Sequence, residues 1–183
     1  EIKSILMKGD FTGEGHAGTL DIYIGKNYFY LNLDMGVFKM KQAADIKKGK
    51  GWTMFGDMIK DMTAEDLKKN RKTAEGSLWA YYIDPEKYGI KYNLLPNEKV
   101  AENDAYVVEL QQEGAAILTA YFDSKTFDKV RQVKGTDDSE FSNFRTVGST
   151  KVRMPYTIKG KNGDVSISEL KFNSKFDKKL LSK

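Results

Sequence analysis

The stretch Ala105–Ile158 decides the fold, and it consists of five short runs: AYVVEL (105–110), AILTAYF (116–122), KVRQV (129–133), EFSNF (140–144) and KVRMPYTI (151–158). The runs are rich in β-branched and aromatic residues, and Gly, Asp, Asn and Ser lie between them. This pattern is typical of an antiparallel meander. In the last run, Val152, Met154 and Tyr156 alternate with Lys151 and Arg153, which predicts a strand with one apolar face and one wet face.

The rest of the chain is also predicted to be rich in β-strands. Six further runs of the same kind are Ile2–Phe11, Thr19–Ile24, Tyr28–Leu33, Val37–Gln42, Trp52–Phe55 and Tyr88–Leu94. Glycine-containing turns such as Gly25-Lys-Asn27 lie between neighbouring runs and are typical of hairpins. We therefore expect about ten strands joined by short turns.

The middle of the chain carries the predicted helices. Thr63 precedes Ala64-Glu-Asp66, and a hydroxyl before an acidic first turn favours a helix start. A helix is predicted over Ala64–Ala74 because that segment is rich in Lys, Glu and Leu. A second short helix is predicted over Ser77–Ile83, ending before Asp84-Pro85.

An antiparallel sheet of about ten strands cannot stay flat, because the twist between strands accumulates until the sheet curls or splits. The predicted fold class is therefore mainly β (α+β). We expect a curved antiparallel sheet, a half-open β-barrel, with one or two helices covering its concave face. A single domain is predicted over residues 1–183, with a helical insertion at about 57–83.

Composition excludes several classes of protein. The chain has 183 residues, of which 40% are hydrophobic and 31% charged, as in an ordinary globular domain. No run approaches the roughly 18 apolar residues of a membrane-spanning helix. The absence of cysteine excludes disulfides and thiolate metal sites. The net charge of +4 arises from lysines interspersed with acids, so we expect no nucleic-acid binding.

The sequence offers no recognisable catalytic or metal site. His16 is the only histidine, so a histidine-based triad or a two-histidine metal site is impossible. Asp137, Asp138 and Glu140 lack the spacing of a calcium loop. We therefore predict no catalytic residues, no metal and no cofactor.

A cluster of methionines and aromatic residues gives the candidate site. Five methionines fall between positions 35 and 62, beside Phe38, Trp52 and Phe55. Methionine is flexible and polarisable, which suits both core packing and apolar surfaces that adapt to their ligands. The predicted lining of an apolar pocket is Phe38, Met40, Trp52, Met54, Met58, Met62, Leu67 and Leu78.

Several short motifs, taken in order, resemble the outer-membrane lipoprotein-sorting family, the LolA/LolB-like carriers. They are Gly51-Trp-Thr-Met54, Thr63–Leu67, Tyr88-Gly-Ile-Lys91, Lys99–Val108, Tyr121–Phe127, Phe144–Gly148, Met154–Ile158 and Leu170–Asp177. The resemblance covers most of the chain from Ile2 onward. It implies a curved sheet closed by helices around an apolar cavity.

The resemblance also implies a function. We expect a non-catalytic carrier or sensor of the cell envelope that binds an acyl chain of a lipoprotein, or another apolar ligand. The expected partners are a lipid or an acylated lipoprotein, together with envelope proteins. The expected location is the periplasm or the outer-membrane surface, with at most peripheral membrane contact, as a monomer whose export signal lies outside the numbered chain.

Two other functions remain open at the level of sequence. The first is a structural or protein-interaction module whose hollow is filled by its own side chains. The second is a hydrolase that uses two carboxylates, because 26 acidic residues offer many pairings. A continuous apolar void above about 300 Å³ would favour the carrier over the module.

Overall fold

The computed structural model describes residues 1–13, 15–77 and 83–183, and most of the helix predicted over Ser77–Ile83 lies outside them. The strands of the described residues are β1 (Ser4–Gly13), β2 (His16–Gly25), β3 (Tyr28–Asp34), β4 (Lys39–Asp45), β5 (Lys50–Phe55), β6 (Met58–Asp61), β7 (Ile90–Val100), β8 (Asn103–Gln112), β9 (Leu118–Asp123), β10 (Lys129–Lys134), β11 (Asp137–Ser142), β12 (Arg145–Thr146), β13 (Arg153–Met154), β14 (Thr157–Gly160) and β15 (Gly163–Phe172). The same residues contain one α-helix, α1 (Ala64–Ser77), and two short 3₁₀ helices, Glu86–Tyr88 and Lys178–Leu181.

The predicted fold class is confirmed. Thirteen strands pair in the order β6-β5-β4-β3-β2-β1-β15-β14-β11-β10-β9-β8-β7, and β12 pairs with β13. The sheet is antiparallel and does not close into a barrel, so β6 and β7 are its edges within the described chain. No described helix combines the length and apolar composition that crossing a membrane requires.

Contacts divide the chain into two compact units. The first unit is Glu1–Ala80 with Ile167–Lys183, and the second unit is Tyr81–Ser166. Each unit has its own buried apolar clusters. The single domain over 1–183 stays a prediction.

The core of the first unit lies between α1 and one face of the sheet, which we call the helix-side face. Register places Ile24 opposite Phe29 and Phe29 opposite Ala44, so the three side chains share this face. They are buried together with Ala74 of α1, and Leu67 packs against them. Leu67 and Ala74 are seven residues apart, which is the spacing that brings two side chains to one stripe of a helix.

The start of α1 is fixed by reciprocal capping, as predicted. The Thr63 Oγ1 accepts a hydrogen bond from the Asp66 amide at 3.2 Å, and the Asp66 carboxylate accepts from the Thr63 amide at 3.0 Å. These bonds satisfy amide groups that the first helical turn leaves without partners. They also hold the pKa of Asp66 below its usual value, chiefly through the hydroxyl and amide of Thr63.

The close approach of α1 to the sheet depends on Gly51. A Cβ atom at this position would lie 2.7 Å from the Met62 Sδ and 2.8 Å from the Ala43 carbonyl oxygen. Met62 also donates its amide hydrogen to the Gly51 carbonyl at 2.9 Å, and its sulfur accepts from Asn70 of α1 at 3.4 Å. Met62 therefore occupies the space that a side chain at position 51 would need.

The opposite face of the first unit's sheet is covered by the C-terminal segment Asn173–Leu181. Phe176 is buried, and its ring stacks on Tyr28 with centroids 4.7 Å apart. The Tyr23 hydroxyl donates to the Ser174 carbonyl at 3.2 Å. The indole N–H of Trp52 donates to the Leu181 carbonyl at 2.9 Å. This sheet segment is therefore packed on both faces, by α1 on one side and by the C-terminal segment on the other.

The second unit is a meander in which β7 is the outermost strand. A bulge interrupts the pairing of β7 with β8 between Leu95 and Glu98, at the position of Pro96. The buried residues of β8 lie on both faces: Ala105 and Val107 pack with Tyr121, whereas Leu110 packs with Ile90 and Ala120.

The turn between β9 and β10 is built around Asp123. Its Oδ1 accepts hydrogen bonds from the amides of Lys125 at 2.9 Å and Thr126 at 2.8 Å, and from the Thr126 hydroxyl at 3.1 Å. These bonds favour the carboxylate and lower the pKa of Asp123, with the Thr126 amide as the largest cause. The turn leaves Phe127 with φ 60°, a left-handed conformation that is strained for a non-glycine residue.

Two expectations about individual elements were wrong. The run Lys151–Ile158 is not one strand: β13 ends at Met154 and β14 begins at Thr157, because Pro155 has no amide hydrogen to donate to a neighbouring strand. The stretch 57–83, expected to be helical, begins with the strand β6, which follows a turn at Gly56 with φ 55°. These strands and β15 raise the count above the expected ten.

Substitution of Gly51 by alanine is expected to lower the free energy of unfolding by roughly 1–3 kcal/mol, because the added methyl overpacks the contact of Met62 with the sheet. Urea denaturation measures the effect. The double variant Gly51→Ala/Met62→Ala is expected to lose less stability than the sum of the two single variants. If the double variant loses as much stability as the two single variants together, Met62 does not contact position 51.

Substitution of Asp123 by asparagine is expected to destabilise the fold at neutral pH and to matter less in acid. A folded-state pKa below the unfolded value of about 3.9 means that the carboxylate stabilises the fold above that pH, and that this stability is lost as the pH falls through the folded pKa. Denaturation midpoints of both proteins should therefore converge below about pH 4. A constant gap between them would contradict the role of the carboxylate.

Candidate functional site

An apolar row crosses the helix-side face of the first unit at right angles to the strands. Register aligns Leu20, Leu33, Met40, Phe55 and Met58 on β2, β3, β4, β5 and β6. The row is buried at Leu20, whereas Phe55 is 45% exposed and Met58 is 63% exposed. It therefore runs from the core out to open solvent at the edge strand.

Phe38 extends the exposed end of this row. It lies in the turn between β3 and β4, is 41% exposed, and its ring centroid is 6.4 Å from that of Phe55. Phe38, Phe55 and Met58 together make a contiguous apolar surface, which we call the edge patch. Exposed apolar groups that cluster in this way are typical of binding surfaces.

A cleft of about 360 Å³ lies between the edge patch and the start of α1. Its lining residues are Gln42, Thr53, Phe55, Lys60, Asp61, Met62, Thr63, Asp66, Lys69 and Asn70. Phe55 and Met62 are the apolar members, and the others are polar or charged. The volume exceeds the roughly 300 Å³ that a small-molecule site needs, but its walls are mixed and not wholly apolar.

Two of the four charged residues that line the cleft, Asp61 and Lys69, form ion pairs. Lys69 pairs with Glu65 one turn earlier on α1 at 3.2 Å, and Asp61 pairs with Lys183 at 2.6 Å. Exposed pairs of this kind contribute little to stability. Because these ion pairs lie at the rim of the cleft, an apolar ligand would approach Met62 across the edge patch.

The structure brings some of the predicted lining residues together and separates others. Phe38, Met40, Met58, Met62 and Leu67 lie on or against the helix-side face, where Met62 and Leu67 are part of the core cluster.

Trp52 and Met54 lie on the opposite face of β5, because side chains alternate along a strand. Trp52 is buried and bonded to the C-terminal segment. No single cavity on one face can therefore be lined by all of the predicted residues. Leu78 lies outside the described residues. For the members of the helix-side face, contact with a ligand stays a prediction.

Sequence reasoning missed Phe55 as a member of the site. The signal was present, because Phe55 alternates with Met54 along β5 and shares the face of Met40. A strict period-two assignment would have selected Phe55 and rejected Trp52.

The described residues show no arrangement that points to catalysis by a metal. No three His, Cys, Asp or Glu side chains are grouped closely enough there to hold an ion. His16 is exposed at the start of β2.

Comparison with solved structures identifies the fold. A LolA superfamily protein from Nitrosomonas europaea is 11% identical and has a TM-score of 0.60, with 100% of this chain and 90% of the other chain covered. The chain has the LolA fold. A putative outer membrane lipoprotein-sorting protein domain from Vibrio parahaemolyticus has this fold too, with a TM-score of 0.54, 11% identity, and coverage of 98% and 88%.

A DUF1329 family protein from Desulfovibrio piger also matches, with a TM-score of 0.58, 10% identity, and coverage of 95% and 87%. No family model and no curated protein matches the sequence. The resemblance predicted from the short motifs is thus confirmed at the level of the LolA fold. The likeness extends over nearly the whole chain, so it includes the strands that form the edge patch.

Substitution of Trp52 by phenylalanine is expected to lower the free energy of unfolding by about 1 kcal/mol, because it leaves the Leu181 carbonyl without its donor. Thermal denaturation measures the loss. Removal of Lys183 alone should have little effect on this bond. Truncation before Leu181 should abolish the difference in stability between Trp52→Phe and the unsubstituted protein. A difference that survives this truncation would contradict the assignment.

Proposed function

We propose that this chain is a non-catalytic carrier or sensor of the cell envelope, which binds an acyl chain of a lipoprotein or another apolar ligand beside α1. The observation that carries the proposal is the apolar row that continues from the core through Met40 to the exposed Phe55 and Met58. A carrier needs this continuity, because its ligand must pass from solvent to a sheltered site without crossing a polar barrier.

The energetics of acyl-chain binding fit a surface of this kind. Each buried methylene contributes about 0.8 kcal/mol, so a chain of ordinary length supplies useful affinity without any charged contact. Methionine at two positions of the site, Met58 and Met62, allows the surface to adapt to chains of different shape.

The LolA fold supports this proposal, since one of the similar structures is described as an outer membrane lipoprotein-sorting protein domain. The proposal places the protein in the periplasm or at the outer-membrane surface, with an acylated lipoprotein or a lipid as its partner.

Native mass spectrometry of protein purified from its own host tests whether it carries such a ligand. Protein that releases no lipid on extraction, and gains no protection from added lipid, would contradict the proposal.

Two neighbouring residues of β6 provide a matched pair of variants. Met58 faces the apolar row, whereas Ile59 lies on the other face of the same edge strand and is 46% exposed. Met58→Asn is expected to weaken binding of a fluorescent fatty-acid probe about tenfold, because a polar group replaces apolar contact area. Ile59→Asn is expected to leave the affinity unchanged. Equal effects of the two substitutions would show that the helix-side face does not bind the probe.

A further inference from the structure

The second unit contains a lysine in unusual surroundings. Lys129 begins β10 and lies directly opposite Phe122 of β9, which in turn lies opposite Tyr106 of β8. Its side chain is partly buried, and the ammonium is 4.9 Å from the ring centroid of Phe141 on β11. The charged group thus lies over the ring of Phe141, on a surface shared with Phe122 and Tyr106 that we call the Lys129 face.

The ammonium has one hydrogen-bond partner and no counterion among the described residues. It donates to the Oε1 of Gln132 at 2.8 Å, which uses one of its three protons. The nearby ions of β10 and β11, Arg131 and Asp138, pair with each other through two bonds of 3.0 and 2.6 Å on the opposite face. Asp128, the preceding residue, pairs with Arg153 at 2.9 Å.

Most of the side chains that the neighbouring strands bring to the face of Lys129 are apolar. β8 contributes Val108 and Leu110, β9 contributes Leu118 and Ala120, and β14 contributes Ile158. The charged residues on this face are Lys134 and Asp137, which oppose each other at the far ends of β10 and β11, and Asp104 of β8, which pairs with Lys99 of β7 at 3.2 Å. Burial in these surroundings lowers the pKa of Lys129 to about 8, because a low-polarity environment disfavours the ammonium form.

The surface beside Lys129 is open to a ligand. The ring of Phe127 is 67% exposed and stacks on Tyr106, with centroids 6.0 Å apart and planes 8° from parallel. Phe127 holds this position in spite of its left-handed backbone, a conformation that is strained for a non-glycine residue. An exposed aromatic pair beside an unneutralised cation has both of the features that an amphiphile with a negative head requires.

We propose that the Lys129 face binds a single-chain amphiphile with a carboxylate head, which pairs with the Lys129 ammonium while its hydrocarbon chain lies on the aromatic residues around it. Charge complementarity selects the head, because a carboxylate supplies the counterion that Lys129 lacks among the described residues and accepts a charge-assisted hydrogen bond. The site does not involve the cleft beside α1, so it stands independently of the carrier function proposed above.

The test compares dodecanoate with dodecan-1-ol, which has the same chain and no charge. Titration calorimetry is expected to show that the protein binds the acid roughly tenfold more tightly than the alcohol. Lys129→Met is expected to remove this preference while the alcohol still binds, which also shows that the variant is folded. Lys129→Arg is expected to keep the preference, because a guanidinium also pairs with a carboxylate.

The pH dependence separates a charge effect from a packing effect. The preference for the acid should be constant between about pH 6 and pH 7 and should decline toward pH 9, as the lysine loses its proton. In Lys129→Arg the preference should persist over the same range, because arginine remains charged.

Three outcomes of these titrations would overturn the proposal: no binding of dodecanoate, unchanged preference in Lys129→Met, or loss of the preference in Met58→Asn instead.

Sedimentation with anionic phosphatidylglycerol vesicles tests whether the face binds a membrane surface instead. If Lys129→Met weakens vesicle binding and leaves dodecanoate binding intact, the face contacts a membrane surface, and the single-chain ligand is excluded.

Discussion

The strict alternation of side chains between the two faces of an antiparallel sheet is the constraint on which the structure depends. In the first unit, the pairing of Ala44 with Gly51 sets which side chains of β4 and β5 meet α1. A slip by one residue would exchange the two faces, since the period is two. If β5 slipped in this way against β4, Phe55 would meet the C-terminal segment and Trp52 would meet the helix. The register of β2 to β6 therefore decides both the core and the candidate site.

The two faces of this sheet are packed by two different kinds of segment, α1 and the C-terminal segment. The helix α1 presents a thin apolar stripe, essentially Leu67 and Ala74, and Met62 fills the space above Gly51. The C-terminal segment instead contributes Phe176 and a main-chain acceptor for the Trp52 indole. Because the helix covers only part of its face, the row beyond Met40 stays exposed. The same arrangement thus explains why the first unit is stable and why it has an open apolar surface.

Much of the fold was predictable from local patterns. Alternation and turn residues identified the meander, and Thr63 with Asp66 identified the start of α1. The division of one predicted strand at Pro155 was also readable, because proline cannot donate to a neighbour. The candidate site was predictable only in part. Proximity in sequence grouped Trp52 with Met40, whereas the face of each residue depends on strand register.

Some features depend on contacts between residues that are far apart in sequence. Nothing in the local sequence indicates that Leu181 accepts a hydrogen bond from Trp52, since 129 positions separate them. The surroundings of Lys129 are a further example, because Phe141 lies on a different strand and a bulge shifts the strand pairing directly after Lys129. Pairing across strands creates such environments, and single-sequence patterns do not record it.

The bulge in β7 has a consequence for solubility. Among the described residues β7 is an edge strand of eleven residues, and the row of backbone groups along such an edge is where another chain can add and ordered aggregates can begin. Pro96 removes one donor from that row, and the shift between Leu95 and Glu98 bends the strand at the same place. An incoming strand can therefore match only part of β7, which disfavours ordered pairing of copies of this chain along that edge.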